Sequence, residues 1–333
     1  MIIVLIPNDL LKCFKMYDIN SLHTHIGREI TGETKTIIFY NWYCVACLNN
    51  INIRSEYYDD ENIYITSDWF MKINKKKYNL KKNNMIMFEG SIFSKNFVKK
   101  TKETFNIDVE SDETILNYGY NLPFRRNNNY NMNENYTNIL NLINKNNKYI
   151  IPLGSPKFIF DFSFKKNKSI LLDYYPYLKN LEELSNKSFK KSIDICKKLI
   201  KKGWCINLLN FPFDIEGCNN IKGYRPYEEI IKIYKENTFY FTNILESHGW
   251  AICENLQMGN IVIIFEEHVH SPHLYNYINC IKLNLNFESS ICAELVNNFY
   301  NMYSLEMFKK NITFNNSCLS AETFIYRFQK TIK

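Results

Sequence analysis

The sequence has no run of about 18 apolar residues, the length that a membrane-spanning helix needs. Its apolar start, Met1–Pro7, carries neither a charged leader nor a signal cleavage site, so we interpret it as a first strand. Ten cysteines in 333 residues do not make the dense framework of a small secreted protein, which favours a reducing compartment. We therefore expect a protein of the cytoplasm or of a membrane surface.

Glycine and proline are also scarce, with 10 and 8 residues. Asn, Lys, Ile, Tyr and Phe are used heavily instead, a skew typical of an AT-rich genome and compatible with a viral source. The net charge of +7 is weak evidence for a polyanionic partner, because lysines accumulate on solvated faces in such a composition. With 46% hydrophobic and 23% charged residues, the chain is an ordinary globular protein, long enough for two domains.

Several groups of metal-ligand residue types occur, but none has a complete spacing. Cys44 and Cys47 form a lone C-x-x-C, without the second pair of a zinc site. Residues 266–273 include three histidines and two glutamates, for which a metal is the alternative to a plain loop. His23 and His25 lie in a polar loop, where we interpret them as surface residues, with metal binding or action as a base as the alternatives. We predict no bound metal.

The second half of the chain alternates between strand and helix patterns. Apolar runs predict strands at Ser169–Tyr174 and Trp204–Leu209, and the apolar period between them predicts a helix at Ser188–Lys202, with Ser188 as its N-cap and Gly203 as its stop. Such alternation indicates a parallel sheet covered on both faces, and hence an α/β fold. In the first half, Thr36–Leu48 is interpreted as a strand followed by a helix.

The central stretch runs from Thr238 to Phe265 and predicts strand, loop, helix and strand. Glu246 and Glu254 lie in it with seven residues between them. The helix is expected at Trp250–Met258, with Gly259 ending it in a left-handed cap. The loop before it follows the carboxyl end of a strand, where open α/β sheets bind ligands and helix amides attract anions.

This stretch resembles the E-x7-E segment of GT-B glycosyltransferases, in particular the large retaining family 4-like group, written E-G-F-G-L-x-x-x-E-A-M-A-x-G-x-P-V. Both glutamates match, as do Gly249, Gly259 and the closing apolar strand. Several positions differ from the pattern, and an ordinary βαβ unit with surface carboxylates is the alternative interpretation. The differing residues include Ser247, His248, Asn255 and Ile261.

The resemblance implies a GT-B fold, with two Rossmann-like domains whose parallel sheets face a cleft. The segment Lys148–Phe158 is similar to the family's crossing between domains, so we place the boundary near Phe160. Residues 1–160 then form the acceptor-side domain, with an Asn-rich insertion at about 127–148. Residues 161–333 form the nucleotide-sugar domain.

The resemblance also assigns roles in the site. Glu246 is the catalytic residue and accepts hydrogen bonds from the transferred sugar, and Glu254 accepts them from the ribose. Neither carboxylate is expected in the core. Lys179 matches the phosphate-binding lysine. The family's arginine is missing, since Asp173 and Tyr174 stand there, and Arg225 could replace its charge. The expected donor-binding set is Lys179, Arg225, Ser247, His248, Gly249, Trp250 and Glu254, with His23 and His25 on the acceptor side.

The expected function is a retaining, metal-independent hexosyltransferase without a cofactor. Its substrates are a nucleotide sugar, such as a UDP- or GDP-sugar, and an acceptor hydroxyl on a glycan, lipid, protein or DNA. In a retaining front-face reaction the departing phosphate can take the acceptor's proton, so no dedicated base is required. Two alternatives stay open: a viral or phage-type transferase that acts on DNA bases, and a non-catalytic glycosyltransferase-like subunit that binds a partner.

Overall fold

The computed structural model describes residues 1–58, 60–67, 70, 85–88, 154–173, 182–209, 211, 213–242, 249–267, 274 and 276–324. The chain forms two compact units, each with a parallel sheet, which confirms the predicted α/β class. Among the described residues, no helix is both long and apolar enough to cross a bilayer. The first unit is Met1–Ile159, Pro226–Glu228 and Ser317–Lys333, and the second is Phe160–Arg225 and Glu229–Asn316.

The first unit contains a four-stranded sheet in the order β2-β1-β3-β4. The strand predicted at the start of the chain is β1, and its central residue Val4 pairs with Ile53 and Ile65 on either side. The elements are β1 (Ile2–Leu5), α1 (Asn8–Phe14), α2 (Leu22–His25), α3 (Thr34–Leu48), β2 (Asn52–Arg54), β3 (Ile63–Ser67) and β4 (Met85–Phe88), with a 3-10 turn at Lys157–Ile159.

The strand predicted at the start of Thr36–Leu48 is wrong, because α3 is helical throughout. Its side chains are apolar on nearly every side, and Phe39, Trp42 and Val45 are all buried. A helix of this kind has no polar stripe, so its pattern resembles that of a buried strand.

The second unit contains a six-stranded parallel sheet in the order β10-β9-β8-β5-β6-β7. Apart from the first two residues of α5 and the last three of α8, which belong to the first unit, its elements are β5 (Ser169–Asp173), α4 (Glu182–Ile200), β6 (Cys205–Leu209), β7 (Cys218–Ile221), α5 (Tyr227–Glu236), β8 (Phe239–Thr242), α6 (Trp250–Gln257), β9 (Ile261–Phe265), β10 (Cys280–Leu283), α7 (Ser289–Met302) and α8 (Leu305–Leu319).

The sheet of the second unit has a doubly wound topology. Counted from β5, its strands lie in the order 3-2-1-4-5-6 of dinucleotide-binding folds. The order reverses between β5 and β8, and both of these strands are completely buried. Ligands of such sheets bind outside the carboxyl ends of the strands at this reversal, so the topology alone locates the expected site.

The two faces of this sheet pack against different helices. On one face, alternate strand residues such as Ile170 and Ile263 join Leu199 of α4 and Val296 of α7 in one apolar core. On the opposite face, Tyr240 of β8 packs edge to face against Tyr234 of α5, with 5.7 Å between the ring centres. Tyrosines on this second face bring hydroxyl groups to a buried surface.

The prediction of Ser188 as an N-cap is wrong, because α4 begins at Glu182 and Ser188 is buried inside it. Small hydroxyl residues are accepted in a helix interior when their oxygen bonds to a preceding carbonyl, as Ser192 Oγ does to the carbonyl of Phe189 at 2.7 Å. The predicted stop at Gly203 is confirmed, because its φ is 78° and its amide donates to the carbonyl of Ile200.

Candidate functional site

The site begins at two strand ends that meet at the reversal of the second sheet. Asp173 is the last residue of β5 and Thr242 the last of β8, and the two are paired in register. Parallel strands present their carboxyl ends at one edge, so both side chains belong to the edge where ligands bind.

Tyr240 and Asp173 are joined by a buried hydrogen bond. The phenol of Tyr240 donates to Oδ2 of Asp173 at 2.7 Å, and only 9% of the surface of Asp173 is exposed. Burial raises the pKa of Tyr240 well above its ordinary value, and the negative charge of Asp173 raises it further. The phenol therefore remains a donor, and the carboxylate is held in one orientation.

The helix α6 begins at this edge. Gly249 is its N-cap, with φ 62° and ψ 98°, a backbone conformation that side chains rarely allow. The amide of Cys253 makes the first helical bond, to the carbonyl of Gly249 at 3.0 Å. The amides of Trp250, Ala251 and Ile252 precede that bond and have no acceptor within the helix, which is the arrangement that attracts anions.

Glu254 lies on the buried side of α6, with 4% of its surface exposed. We expected it outside the core, so this is a correction: the whole segment Ile252–Gln257 is buried. Burial, followed by the fields of Glu254 and Asp173, raises the pKa of Tyr234 well above its ordinary value. Two carboxylates from separate elements therefore raise the pKa of one buried phenol.

The carboxyl end of α6 is closed by the predicted left-handed cap. Gly259 has φ 85°, its amide donates to the carbonyl of Leu256, and the amide of Asn260 donates to that of Asn255 at 2.9 Å. This is the Schellman pattern. The side chain of Asn260 also donates to Oδ1 of Asn255 at 2.8 Å, in place of the usual apolar contact.

Side-chain amides fix α6 against α8. Asn315 Nδ2 donates to the carbonyl of Leu256 at 2.8 Å, and Asn316 Nδ2 donates to that of Gln257 at 3.0 Å. Asn279 donates to Oδ1 of Asn315 at 2.8 Å. These groups are buried, and they hold the helix that carries Glu254 in a defined position.

The other residues that were predicted to bind the nucleotide-sugar donor give little evidence for the site. Arg225 is exposed, lies 3.6 Å from the carboxylate of Glu229 and donates to the carbonyl of Lys222 at 3.4 Å, so its contacts are local. Trp250, the first residue of α6, is half-buried. Lys179, Glu246, Ser247 and His248 lie outside the described residues.

The acidic residues before the histidine-rich segment have structural contacts. Glu267 accepts the amide of Leu285 at 2.9 Å, and Glu266 accepts the side chain of Asn284 at 3.2 Å. Within the described part of the chain, no group of His, Cys, Asp and Glu has the geometry of a metal site. Residues 268–273, which hold the three histidines, lie outside that part.

The two candidate acceptor-side histidines lie on α2 of the first unit. His25 contacts Glu29 at 3.1 Å and stacks on Tyr17, with 3.8 Å between the ring centres. Nδ1 of His23 is buried and has no hydrogen-bond partner among the described residues. Burial lowers the pKa of His23, so its ring is neutral over a wider range of pH than an exposed histidine.

Cys44 and Cys47 lie one turn apart on α3 and are both free thiols. Cys44 is buried, and burial raises the pKa of both thiols. Metal binding and redox chemistry require the thiolate, so this environment favours a structural role for the pair.

Sequence reasoning did not identify Asp173, Tyr240 and Tyr234 as parts of the site. Asp173 was noted only as a departure from the family pattern. The signal that could have found it is a lone carboxylate that closes an otherwise apolar buried strand, at the edge where ligands bind.

No protein-family model matches the chain, and no curated protein matches it. Among solved structures, it is similar to sucrose-phosphate synthase from Thermosynechococcus elongatus, with 10% identity, 89% of this chain and 76% of the synthase covered, and a TM-score of 0.47. It is similar to HepE from Anabaena in complex with UDP-glucose, with 8% identity and a TM-score of 0.48. That match covers 99% of this chain and 98% of HepE. It is also similar to trehalose 6-phosphate synthase from Burkholderia multivorans, with 9% identity and a TM-score of 0.48. That match covers 98% of this chain and 82% of the synthase.

Proposed function

We propose that the protein is a glycosyltransferase that moves a sugar from a nucleotide-sugar donor to an acceptor hydroxyl. One observation carries the proposal: Glu254 is buried on α6, a helix that starts at Gly249 and follows β8, one of the two strands at the reversal point of a 3-2-1-4-5-6 sheet. A carboxylate at that place suits ribose hydroxyls, and the amides of a helix start suit a diphosphate.

The roles of the chain's own groups follow from this geometry and from the resemblance. The amides at the start of α6, after Gly249, bind the diphosphate, and Glu254 accepts hydrogen bonds from the ribose. Lys179 neutralises the phosphates, and Glu246 accepts hydrogen bonds from the transferred sugar. His23 and His25 belong to the acceptor side.

We further propose a retaining reaction without a metal or another cofactor, on a hexose donor such as a UDP- or GDP-sugar. The leaving phosphate takes the proton of the acceptor hydroxyl as the new glycosidic bond forms. Backbone amides and Lys179 then offset the charge that develops on the phosphate. The acceptor is a glycan, a lipid, a protein or DNA.

A non-catalytic, ligand-binding role is the second candidate, and one residue favours it. Asp173 stands beside the position of the family's arginine, and its carboxylate accepts a hydrogen bond from Tyr240. An anion there opposes a diphosphate instead of stabilising it. Arg225, which we propose as the substitute cation, makes its observed contacts with Lys222 and Glu229.

A donor screen by thermal shift tests the proposal first. A nucleotide sugar at 100 times its dissociation constant adds about 2.7 kcal/mol to the free energy of unfolding. Turnover of the best donor is then followed with and without a chelator, and the anomeric configuration of the product is read by NMR. Binding without turnover would favour the second candidate, and absence of both would reject the donor site. Binding to DNA that falls steeply with salt would favour the DNA-base transferase.

The two glutamates test the assignment of the site. Glu254→Gln keeps the shape of the side chain and should mainly raise the KM for the donor, whereas Glu246→Gln should mainly lower kcat. Glu236→Gln, an exposed position at the end of α5, is the matched control. If the first two variants keep full activity while they remain folded, the spacing of the glutamates is a coincidence.

A further inference from the structure

The outer surface of α4 is strongly basic. Between Lys187 and Lys202 the chain has seven lysines and one acidic residue, Asp194. Six of these lysines are exposed and Lys191 is half-buried. The buried side of the same helix, with Ile195 and Leu199, packs into the apolar core of the second unit. The lysines therefore form one continuous outward face.

Three of the seven lysines have partners nearby. Lys202 forms an ion pair with Glu294, and Lys187 donates to Oδ1 of Asn286 at 3.2 Å. Lys191 donates to the carbonyl of Phe287. The other four form no ion pair or hydrogen bond with the described part of the chain, so their charge is available to a partner. They are Lys190, Lys197, Lys198 and Lys201.

Exposed apolar side chains flank this basic face on both sides. At the start of α7, which packs against α4, Phe287 is 47% exposed and Ile291 is 48% exposed. On the other flank, Phe213 is 44% exposed and lies edge to face against Phe189 of α4, at 6.1 Å between ring centres. Exposed apolar side chains next to unpaired lysines are typical of a surface that binds a partner.

The chemistry of this surface distinguishes between anionic partners. Lysines attract the headgroups of an anionic bilayer, while phenyl and aliphatic groups enter the boundary with the acyl chains. A nucleic acid would favour arginine, but residues 182–202 contain no arginine. The rings of Phe287 and Phe213 suit either partner, whereas the aliphatic Ile291 suits only a bilayer.

We propose that the face formed by α4 and the start of α7 docks on a membrane surface that contains anionic lipids. The proposal goes beyond sugar transfer, because it concerns where the protein works, and it does not depend on the chemistry of the donor. No lipid anchor is required. Several lysines and three apolar side chains together supply more than the single weak attachment that gives only marginal binding.

Vesicle sedimentation with the full chain tests the proposal. The protein should bind vesicles of phosphatidylcholine that contain about 30% phosphatidylserine, should not bind phosphatidylcholine alone, and should dissociate as salt rises. One lysine near such a surface is worth about fivefold in partitioning. The variant K190Q/K197Q/K198Q should therefore bind roughly 100-fold more weakly.

Matched variants separate this face from net charge. K165Q/K309Q/K310Q removes the same charge elsewhere on the second unit and should bind within about twofold of the wild type. F287S/I291S should weaken binding at every salt concentration, whereas I278S, at an exposed apolar position outside the face, should not. Far-ultraviolet circular dichroism and urea unfolding check that each variant is folded.

Three results would overturn the proposal. Equal loss in both triple variants would show a response to net charge, without a docking face. Equal binding to phosphatidylcholine alone would show that anionic lipid is not recognised. Binding to a DNA duplex with no binding to either vesicle would replace the membrane by a nucleic acid. A donor-binding measurement on K190Q/K197Q/K198Q should match the wild type whichever result is found, so this test and that of the proposed function can fail separately.

Discussion

Tyr240 and Asp173 form a 2.7 Å hydrogen bond between the two strands at which the order of the second sheet reverses. The bond links the carboxyl-terminal residue of β5 to the middle of β8. It is buried, so removal of the phenol leaves a carboxylate oxygen with one hydrogen bond fewer. We consider it the interaction that fixes the carboxylate of Asp173 at the end of β5.

We expect Tyr240→Phe to lower the free energy of unfolding by about 1–3 kcal/mol, because a buried carboxylate then loses a donor. Urea unfolding measures the change. Tyr224→Phe is the control, since Tyr224 is 67% exposed and the same substitution there should cost less than about 0.5 kcal/mol. Equal stability of the two variants would contradict the importance of the bond.

Gly259 and Gly203 provide a matched pair for backbone strain. A Cβ at Gly259 would lie 2.5 Å from Cε2 of Phe308 and 2.9 Å from Cγ1 of Ile312, whereas at Gly203 nothing lies within 4 Å. Both have positive φ, so the strain of the backbone is shared. Gly203→Ala should cost about 1 kcal/mol, and Gly259→Ala should cost about 1–3 kcal/mol more from overpacking. The difference between their urea midpoints isolates the contact of α6 with α8.

The buried phenol of Tyr234 predicts a loss of stability at alkaline pH. Its pKa in the folded state is raised by burial and then by Glu254 and Asp173. In the unfolded state it ionises near pH 10, so above that pH the unfolded state binds fewer protons and is favoured. Below pH 10 the contribution is fully present. Tyr234→Phe removes this proton, so its stability relative to the wild type should improve by about 1.4 kcal/mol per pH unit above 10. Urea unfolding at pH 8 to 11 measures it, and parallel curves would show that the phenol ionises in the folded protein.

Lys179 lies outside the described residues, so its role remains a prediction. If it neutralises the donor diphosphate, Lys179→Ala should weaken donor binding by about 1.5–3 kcal/mol, roughly 10- to 150-fold. Lys165→Ala, an exposed lysine of the second unit, is the control. Isothermal titration with the donor found in the screen provides the measurement. Unchanged affinity would mean that the family position is misassigned.

Much of the second sheet was predictable from the sequence, because its strands are buried on both faces. Ile261–Phe265 and Ser169–Asp173 are nearly continuous apolar runs, and continuous runs of that length indicate central parallel strands. The end of α6 was predictable as well, since Gly259 can adopt the positive φ of the cap at little cost.

Two strands of this sheet were not predicted. β7 reads Cys-Asn-Asn-Ile and is an edge strand, and β10 reads Cys-Ile-Lys-Leu with a half-exposed Lys282. Four residues with one or two polar positions carry almost no periodic signal. Their strand conformation comes from pairing with β6 and β9, which is tertiary and not local.

The candidate site, like the sheet, could be predicted from the sequence only in part. The glutamates and glycines near α6 are recognisable because they are close together in the sequence. Tyr240 and Asp173 are separated by 67 positions, so their hydrogen bond has no local trace. The burial of Glu254 was not predicted for a related reason. Which face of a short helix is buried depends on the elements that pack against it, and not on the sequence of the helix alone.

The asparagines that attach α8 to α6 have a consequence for how the protein opens locally. Of the four side chains that α8 buries before Ser317, three are asparagines, and each donates to a backbone carbonyl. Denaturant slopes scale with the surface that an opening exposes. Release of α8 would break several hydrogen bonds but uncover few apolar side chains beyond Phe308. Amide exchange in α8 should therefore respond only weakly to added urea, while exchange in the central strands follows global unfolding.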